Sequence, residues 1–117
     1  MSVFSTTAKN AMLDALEPEE IQLHDGDPGA AGTANRVGDT DGEAAAVFAA
    51  ASSGSRALNA QVDFTNLDPL QSVTWISVWD AAVFLGKAQI TSGDVAANAA
   101  GEWSATTDCS LDLEDPA

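Results

Sequence analysis

Five carboxylates fall in one short stretch of the chain: Asp25, Asp27, Asp39, Asp41 and Glu43, within DGDPGAAGTANRVGDTDGE. Carboxylate oxygens are the ligands that Ca²⁺ and Mg²⁺ take. Asp25, Asp27, Asp39 and Asp41 are therefore the candidate cation ligands. Their spacing departs from the EF-hand template, because Ala50 stands where the bidentate Glu belongs if Asp39 opens the loop. Turn chemistry accounts for the same residues, since Asp-Gly and Asp-Pro-Gly favour tight turns. That account is preferred here, so no metal and no cofactor is expected.

Nucleophilic or acid–base chemistry has few other carriers. His24 is the only histidine and Cys109 the only cysteine. One His gives no paired-His metal site; one Cys gives neither an internal disulfide nor a thiolate zinc cluster. The chain contains no G-x-S-x-G elbow, P-loop or dinucleotide fingerprint. Gly26-x-x-Gly29-x-x-Gly32 lacks the strand–helix context that makes such a glycine series a phosphate cradle. His24 falls on the polar side of its segment, with Glu20 and Gln22. It reads as a surface residue at a strand end, or a hydrogen-bonding one, rather than a catalytic base. The chain is expected to bind and not to be an enzyme.

Trp75, Trp79 and Trp103 could stack on a sugar or a partner protein. Trp75 and Trp79 are four apart, hence on one face of a regular strand. Trp75 is assigned to the core. Trp79, at the strand end, and Trp103 are the interface candidates.

The elements that must position these residues follow from periodicity. Ala8, Ala11, Met12, Ala15 and Leu16 recur at helical spacing after Ser5-Thr6-Thr7, which predicts a capped helix over 7–16. Pro18 lies just beyond its end. Residues 20–24 alternate polar and apolar, as a strand does. Residues 25–43 form a long Gly/Asp/Asn loop, and loops of that length are functional, contact-forming or disordered. The small apolar run 44–51 reads as a strand that ends at the turn Ser52-Ser53-Gly54-Ser55. Further strands are expected at 61–65, 72–79 and 83–90, with one or two in 103–113. In 72–79 apolar residues occupy both phases, so either both faces are covered or a bulge switches the phase. Residues 91–102 read as a small polar, Ala-rich loop. The expected architecture is mainly β: a β-sandwich with Greek-key or jelly-roll connections and a short N-terminal α-helix. The whole of 1–117 is one domain, with the helix at 7–16, the sandwich at 20–113 and an acidic tail at 114–117.

Charge bounds the partners. Eighteen Asp and Glu face four basic residues, Lys9, Arg36, Arg56 and Lys87, for a net charge of −14 in 117 residues. Four bases cannot neutralise a run of phosphates, so nucleic acid is excluded as a partner. An anionic membrane surface is disfavoured for the same reason. No stretch reaches the ~18 apolar residues of a membrane span, and no signal peptide is visible. Disorder is the usual result of high charge with low hydrophobicity. Here hydrophobic residues are 45% and periodic, so a folded chain is expected. A folded protein at −14 repels itself in dilute buffer, and in molar salt the Debye length falls to about 3 Å. The composition therefore points to a halophile, an archaeal one.

Several segments in order carry a resemblance. They are Ala8-Lys9-Asn10-Ala11-Met12-Leu13-Asp14-Ala15-Leu16, Leu23-His24-Asp25-Gly26-Asp27-Pro28-Gly29, Phe48-Ala49-Ala50-Ala51-Ser52-Ser53-Gly54-Ser55-Arg56-Ala57-Leu58, Val73-Thr74-Trp75-Ile76-Ser77-Val78-Trp79-Asp80-Ala81 and Phe84-Leu85-Gly86. Together they resemble a family of small structural proteins of tailed viruses, labelled tail fibre, minor tail or decoration proteins. The pattern spans residues 8–86, about two-thirds of the chain. The family has no catalytic residues to carry over. This chain departs from it in acidity.

Resemblance and composition together imply a virion structural protein of a virus of a halophilic archaeon, placed on the particle surface. It would decorate the head, or form part of a turret or spike, by binding without chemistry. The resemblance equally implies a tail-fibre or baseplate component that contacts the host cell. A small cation-dependent carbohydrate-binding module is the reading from a different class. The implied partners are other virion proteins, major capsid or tail proteins. Virion surfaces are symmetric, so a homo-oligomer such as a trimer is expected.

Overall fold

The computed structural model describes residues 4–90, 93–107 and 110–112. The expected acidic tail and Cys109 lie outside the described residues. Helix α1 spans Thr6–Ala15, within a residue of its expected bounds. Ser5 caps it, its hydroxyl accepting from the Ala8 amide at 3.1 Å. Eight strands follow among the described residues: β1 (Glu20–His24), β2 (Glu43–Ala45), β3 (Ser55–Ala57), β4 (Val62–Phe64), β5 (Trp75–Asp80), β6 (Val83–Gln89), β7 (Trp103–Ala105) and β8 (Ser110–Asp112). The chain is mainly β, as its alternating segments predict, with one short N-terminal helix.

One antiparallel sheet has the order β2-β1-β5-β6. Two antiparallel ribbons, β3–β8 and β4–β7, supply the rest. Ile21 and Leu23 of β1 and Ile76 and Val78 of β5 turn one face of the sheet toward the second layer. There they join Phe48, Leu58, Phe64 and Ala105 in one hydrophobic cluster. Ile21, Leu23 and Val73 are wholly out of solvent. Full burial of such side chains contributes about 1.5–3 kcal/mol each.

Both options for 72–79 are realised at once. Ile76, Ser77, Val78 and Trp79 are all buried, so both faces of β5 are covered. The register also shifts: Val78 pairs with Gly86 and Trp79 with Phe84, which leaves Leu85 as the extra residue of a bulge in β6.

The run 44–51 is split rather than a single buried strand. Its first residues pair with β1, Ile21 opposite Ala44. Its second half leaves the sheet and pairs with 57–59, through Ala49 N to Ala57 O and Asn59 N to Val47 O, both at 2.8 Å. Val47 is thereby 66% exposed while Phe48 is buried.

Helix α1 is fastened by polar groups more than by its apolar stripe. Leu13 is its one buried residue among those described, and Met12 is exposed. The Gly54 amide donates to Asn10 Oδ1 and the Ala51 amide to Asp14 Oδ1, each at 2.8 Å. Arg56 donates from Nη1 to the carbonyls of Leu13 and Leu16 at 3.1 and 2.9 Å, and from Nε to Ala49 O at 2.9 Å. Its cation thus sits at the negative end of the helix and adds hydrogen bonds to carbonyls there.

Candidate functional site

The second face of the sheet carries a polar chain that looks like a catalytic arrangement. His24 Nε2 lies 2.7 Å from Ser77 Oγ, and His24 Nδ1 lies 2.8 Å from Ala34 O. A carbonyl only accepts, so Nδ1 carries the proton and Nε2 accepts from the Ser77 hydroxyl. Trp79 Nε1 donates to the same Ser77 oxygen at 2.7 Å. The order of donation is therefore Trp79 to Ser77 to His24 to Ala34. Serine and histidine are both wholly buried, so no substrate reaches them. The network is a buried structural tie.

Of the two readings given for His24, the hydrogen-bonding one holds and the surface one does not. Its strand face is indeed the polar one, but the loop 25–38 folds down over that face. The loop opens and closes on the same strand extension: Asp25 N donates to Asn35 O, and Val37 N to Leu23 O, both at 3.0 Å. Pro28 is fully buried, and a Cβ on Gly32 would sit 2.4 Å from the Phe84 ring. Burial is the main cause that holds the His24 pKa below its ordinary value, and the nearby Arg36 cation adds to it.

The four candidate cation ligands do not gather. Asp27 Oδ1 accepts from the Gly29 amide at 2.8 Å and from Lys87 Nζ at 2.6 Å. Those bonds, Lys87's first, hold its carboxyl below the usual carboxylate range. Asp39 and Asp41 lie on a short 3-10 turn, Asp39–Gly42, and Asp25 sits at the mouth of the loop. Turn and ion-pair bonds occupy the Asp27 carboxylate. The carboxylates that converge among the described residues are Glu17, Glu19 and Asp80, with oxygens within 4.8 Å of one another.

The tryptophans exchange roles. Trp75, assigned to the core, is half-buried with Lys87 Nζ 5.8 Å above its ring centre. Trp79 and Trp103, the interface candidates, are each only 8% exposed. Trp79 packs on Phe84 with ring centres 5.3 Å apart, and Trp103 on Phe64 at 5.9 Å. Each ring is packed by a neighbour of the same chain, Trp79 by Phe84 of the adjacent strand β6 and Trp103 by Phe64 of the β4–β7 ribbon.

An open site lies where sequence reasoning saw only a polar loop. The segment 93–102 runs beside 67–73, joined by Val73 N to Val95 O (2.8 Å), Ala97 N to Gln71 O (2.7 Å), Leu70 N to Asn98 O (3.0 Å) and Leu67 N to Gly101 O (3.0 Å). Gly101 permits this, since a Cβ there would lie 2.1 Å from Leu67 O. Leu70 is held in the left-handed region, φ 61°, and is 69% exposed. Val95, 46% exposed, belongs to the same pair of segments. A cleft of about 730 Å³ opens between this region and the outward, polar side of the β4–β7 ribbon. Asp63, Asp94, Asn98 and Glu102 line it, over Phe64 and Trp103. Asn98 orders one wall: its Oδ1 accepts from the amides of Ala100 and Glu102 at 2.9 Å. Asn98-x-x-Gly101 was the available sequence sign of that ordered turn.

Arg36 is engaged with Glu43, Arg56 with backbone carbonyls and Lys87 with Asp27. The outward charge is accordingly carboxylate. No family model, curated protein or solved structure matches the chain.

Proposed function

We propose that this protein is a structural component of a virion, a β-rich module on the particle surface that acts by binding. The observation that carries the reading is the distribution of charge. Arg36, Arg56 and Lys87 bind carbonyls and carboxylates of the chain itself, and the acidic excess is left to solvent, which would keep a densely packed particle surface hydrated and dispersed in brine. The buried Ser77–His24 pair, closed to substrate, agrees with a role without chemistry. Exposed Leu70, Val83 and Val95 offer apolar contact points on a surface otherwise rich in acid. The ordered segment pattern of residues 8–86 supports a tailed virus, and the acidity supports a halophilic archaeal host.

The test is localisation in purified particles by antibody labelling and electron microscopy. Label at regular positions on the head supports the decoration reading. Label confined to the tail replaces it with the tail-fibre reading, and absence from particles removes both. The halophile part has its own test. The melting temperature is expected to rise steeply from dilute buffer to molar NaCl, and a flat series removes that part.

A further inference from the structure

We infer that His24, Ser77 and Gln22 form a proton-driven hydrogen-bond relay with two states, both of them folded. When His24 takes up a proton, the Ser77 hydroxyl turns from the ring to Gln22 Oε1, and the loop 25–38 stays over the face. The inference is independent of the virion reading and rests on the packing of β1 against β5.

The neutral state leaves one group unserved. Among the described residues, Gln22 Oε1 is the buried side-chain atom without a hydrogen-bond partner, and Gln22 is only 8% exposed. An acceptor buried without a donor is rare in folded proteins and calls for a reason. Gln22 stands directly opposite Ser77 in the antiparallel β1–β5 register. Opposite residues share a face, with Cβ atoms about 4.5–5.5 Å apart. Bond rotations of the glutamine and the hydroxyl are enough to join them.

The protonated state uses that acceptor. The proton comes from solvent and adds to His24 Nε2, so both ring nitrogens become donors. Nδ1 keeps its bond to Ala34 O at 2.8 Å, and Nε2 donates along the existing 2.7 Å line to Ser77 Oγ. Trp79 Nε1 already donates to that oxygen, which has two acceptor positions. Ser77 keeps its own hydrogen, which must find a new acceptor. Gln22 Oε1 supplies it. Each donor of the chain then has an acceptor, and the orphaned oxygen has its donor.

The charges around the ring set the balance. Arg36, bridged to His24 across the loop, opposes the cation, and Asp25 favours it. Lys87 of β6 is bound to Asp27 of the loop, and Glu43 of β2, opposite Gln22, to Arg36. From β5 this face receives Trp75, Ser77 and Trp79, and from β1 also Glu20, which alternates with Gln22 and His24. Burial opposes the charged ring most, so uptake comes below the ordinary histidine range. The relay offsets part of that cost and lets the proton enter the folded chain.

The experiment follows the full chain by NMR from about pH 8 to about pH 4 in molar NaCl, where surface charges are screened. The readouts are the two His24 ring nitrogens, the Trp79 indole N–H and the Gln22 side-chain amide. All are expected to move with one midpoint below the ordinary histidine value, while the backbone amides of Ile21, Leu23 and Val73 keep their folded shifts. Gln22→Met should lower that midpoint by about one pH unit, a tenfold loss of proton affinity, because the cationic state loses one buried hydrogen bond. Gln61→Met, at an exposed position beside β4, should leave it in place. A Gln22 amide that stays still through the His24 titration overturns the inference. So does a midpoint unmoved by Gln22→Met, or protonation of His24 that coincides with the loss of all folded shifts. The first and last of these are read on the wild-type chain and do not depend on the variant folding.

Discussion

Two segments of nearly the same composition end in opposite states. Residues 25–38 and 93–102 are both rich in Gly, Asp, Asn and Ala, and both carry left-handed glycines, Gly29, Gly32 and Gly38 in one and Gly93 and Gly101 in the other. The first leaves and rejoins the same strand extension, so it can only fold back on the face beside it. There it covers Phe84 and His24 and pairs its charges, Asp27 with Lys87 and Arg36 with Glu43. The second is fixed edgewise along 67–73 and meets Trp103, whose Nε1 donates to Asp94 O, without covering the outward side of the β4–β7 ribbon. It leaves a cleft whose carboxylates face solvent. What a polar loop becomes is set by where its ends are anchored.

The largest effect should come from wedging the closed loop open. Gly32→Val places a branched side chain against the Phe84 ring, at a backbone φ of 76° that β-branched residues resist. Overpacking and the left-handed backbone together should cost about 3 kcal/mol in urea unfolding. Gly93→Ala, where a Cβ meets nothing within 4 Å, carries only the backbone penalty of about 1–2 kcal/mol. Equal losses would break the contrast between sealed and open loops.

Next is the tie beneath the loop. Ser77→Ala removes the acceptor of Trp79 Nε1 and the donor to His24 Nε2 in one step. Two buried polar groups are left unpaired, which should cost about 1–3 kcal/mol in the same assay. A change within error would mean that water replaces the hydroxyl and the face is less closed than its burial implies.

How much of this was legible in the sequence divides along physical lines. Strand and helix positions followed from periodicity, because alternating side chains and an amphipathic stripe are local properties. Ser5 as a cap and the turn at Ser52–Ser55 were readable for the same reason. His24 was placed on the polar face of β1 but not buried, since burial needed a loop whose return path depends on Phe84, sixty residues away. The burial of Trp79 and Trp103 was not readable for the parallel reason: the phase of a strand says which side a ring takes, not whether something covers that side. The cleft was missed because Asp63, Asp94 and Glu102 come from separated segments that only the 67–73 pairing brings together.

Acid should act on the sealed face before the paired carboxylates of its loop. The His24 pKa is lowered in the folded chain, so the neutral ring is the form the fold prefers. Its contribution to stability is fully present above the unfolded value, about 6.5. It is lost as pH falls below that value through the depressed folded one. Asp27, also lowered, gives stability that is lost only further down, as pH falls below the ordinary carboxylate value. Wild-type melting temperature should therefore begin to drop near pH 6.5, and His24→Gln should remove that first decline. A variant that keeps it would locate the titration elsewhere.

The smallest effects are the sharpest test of the comparison, because they are expected to differ in sign. In dilute buffer Lys87→Gln removes a cation paired with Asp27 and stacked near Trp75, so the melting temperature should fall slightly. Asp94→Asn removes one negative charge from the open cleft of a chain at −14, so the melting temperature should rise slightly. Exposed pairs are worth little and are screened, hence both shifts are small. In molar salt the Debye length is about 3 Å, and both should shrink toward zero. Shifts of the same sign would mean that the two loops sit in the same electrostatic environment. Shifts that persist in molar salt would mean that packing, rather than charge, separates them.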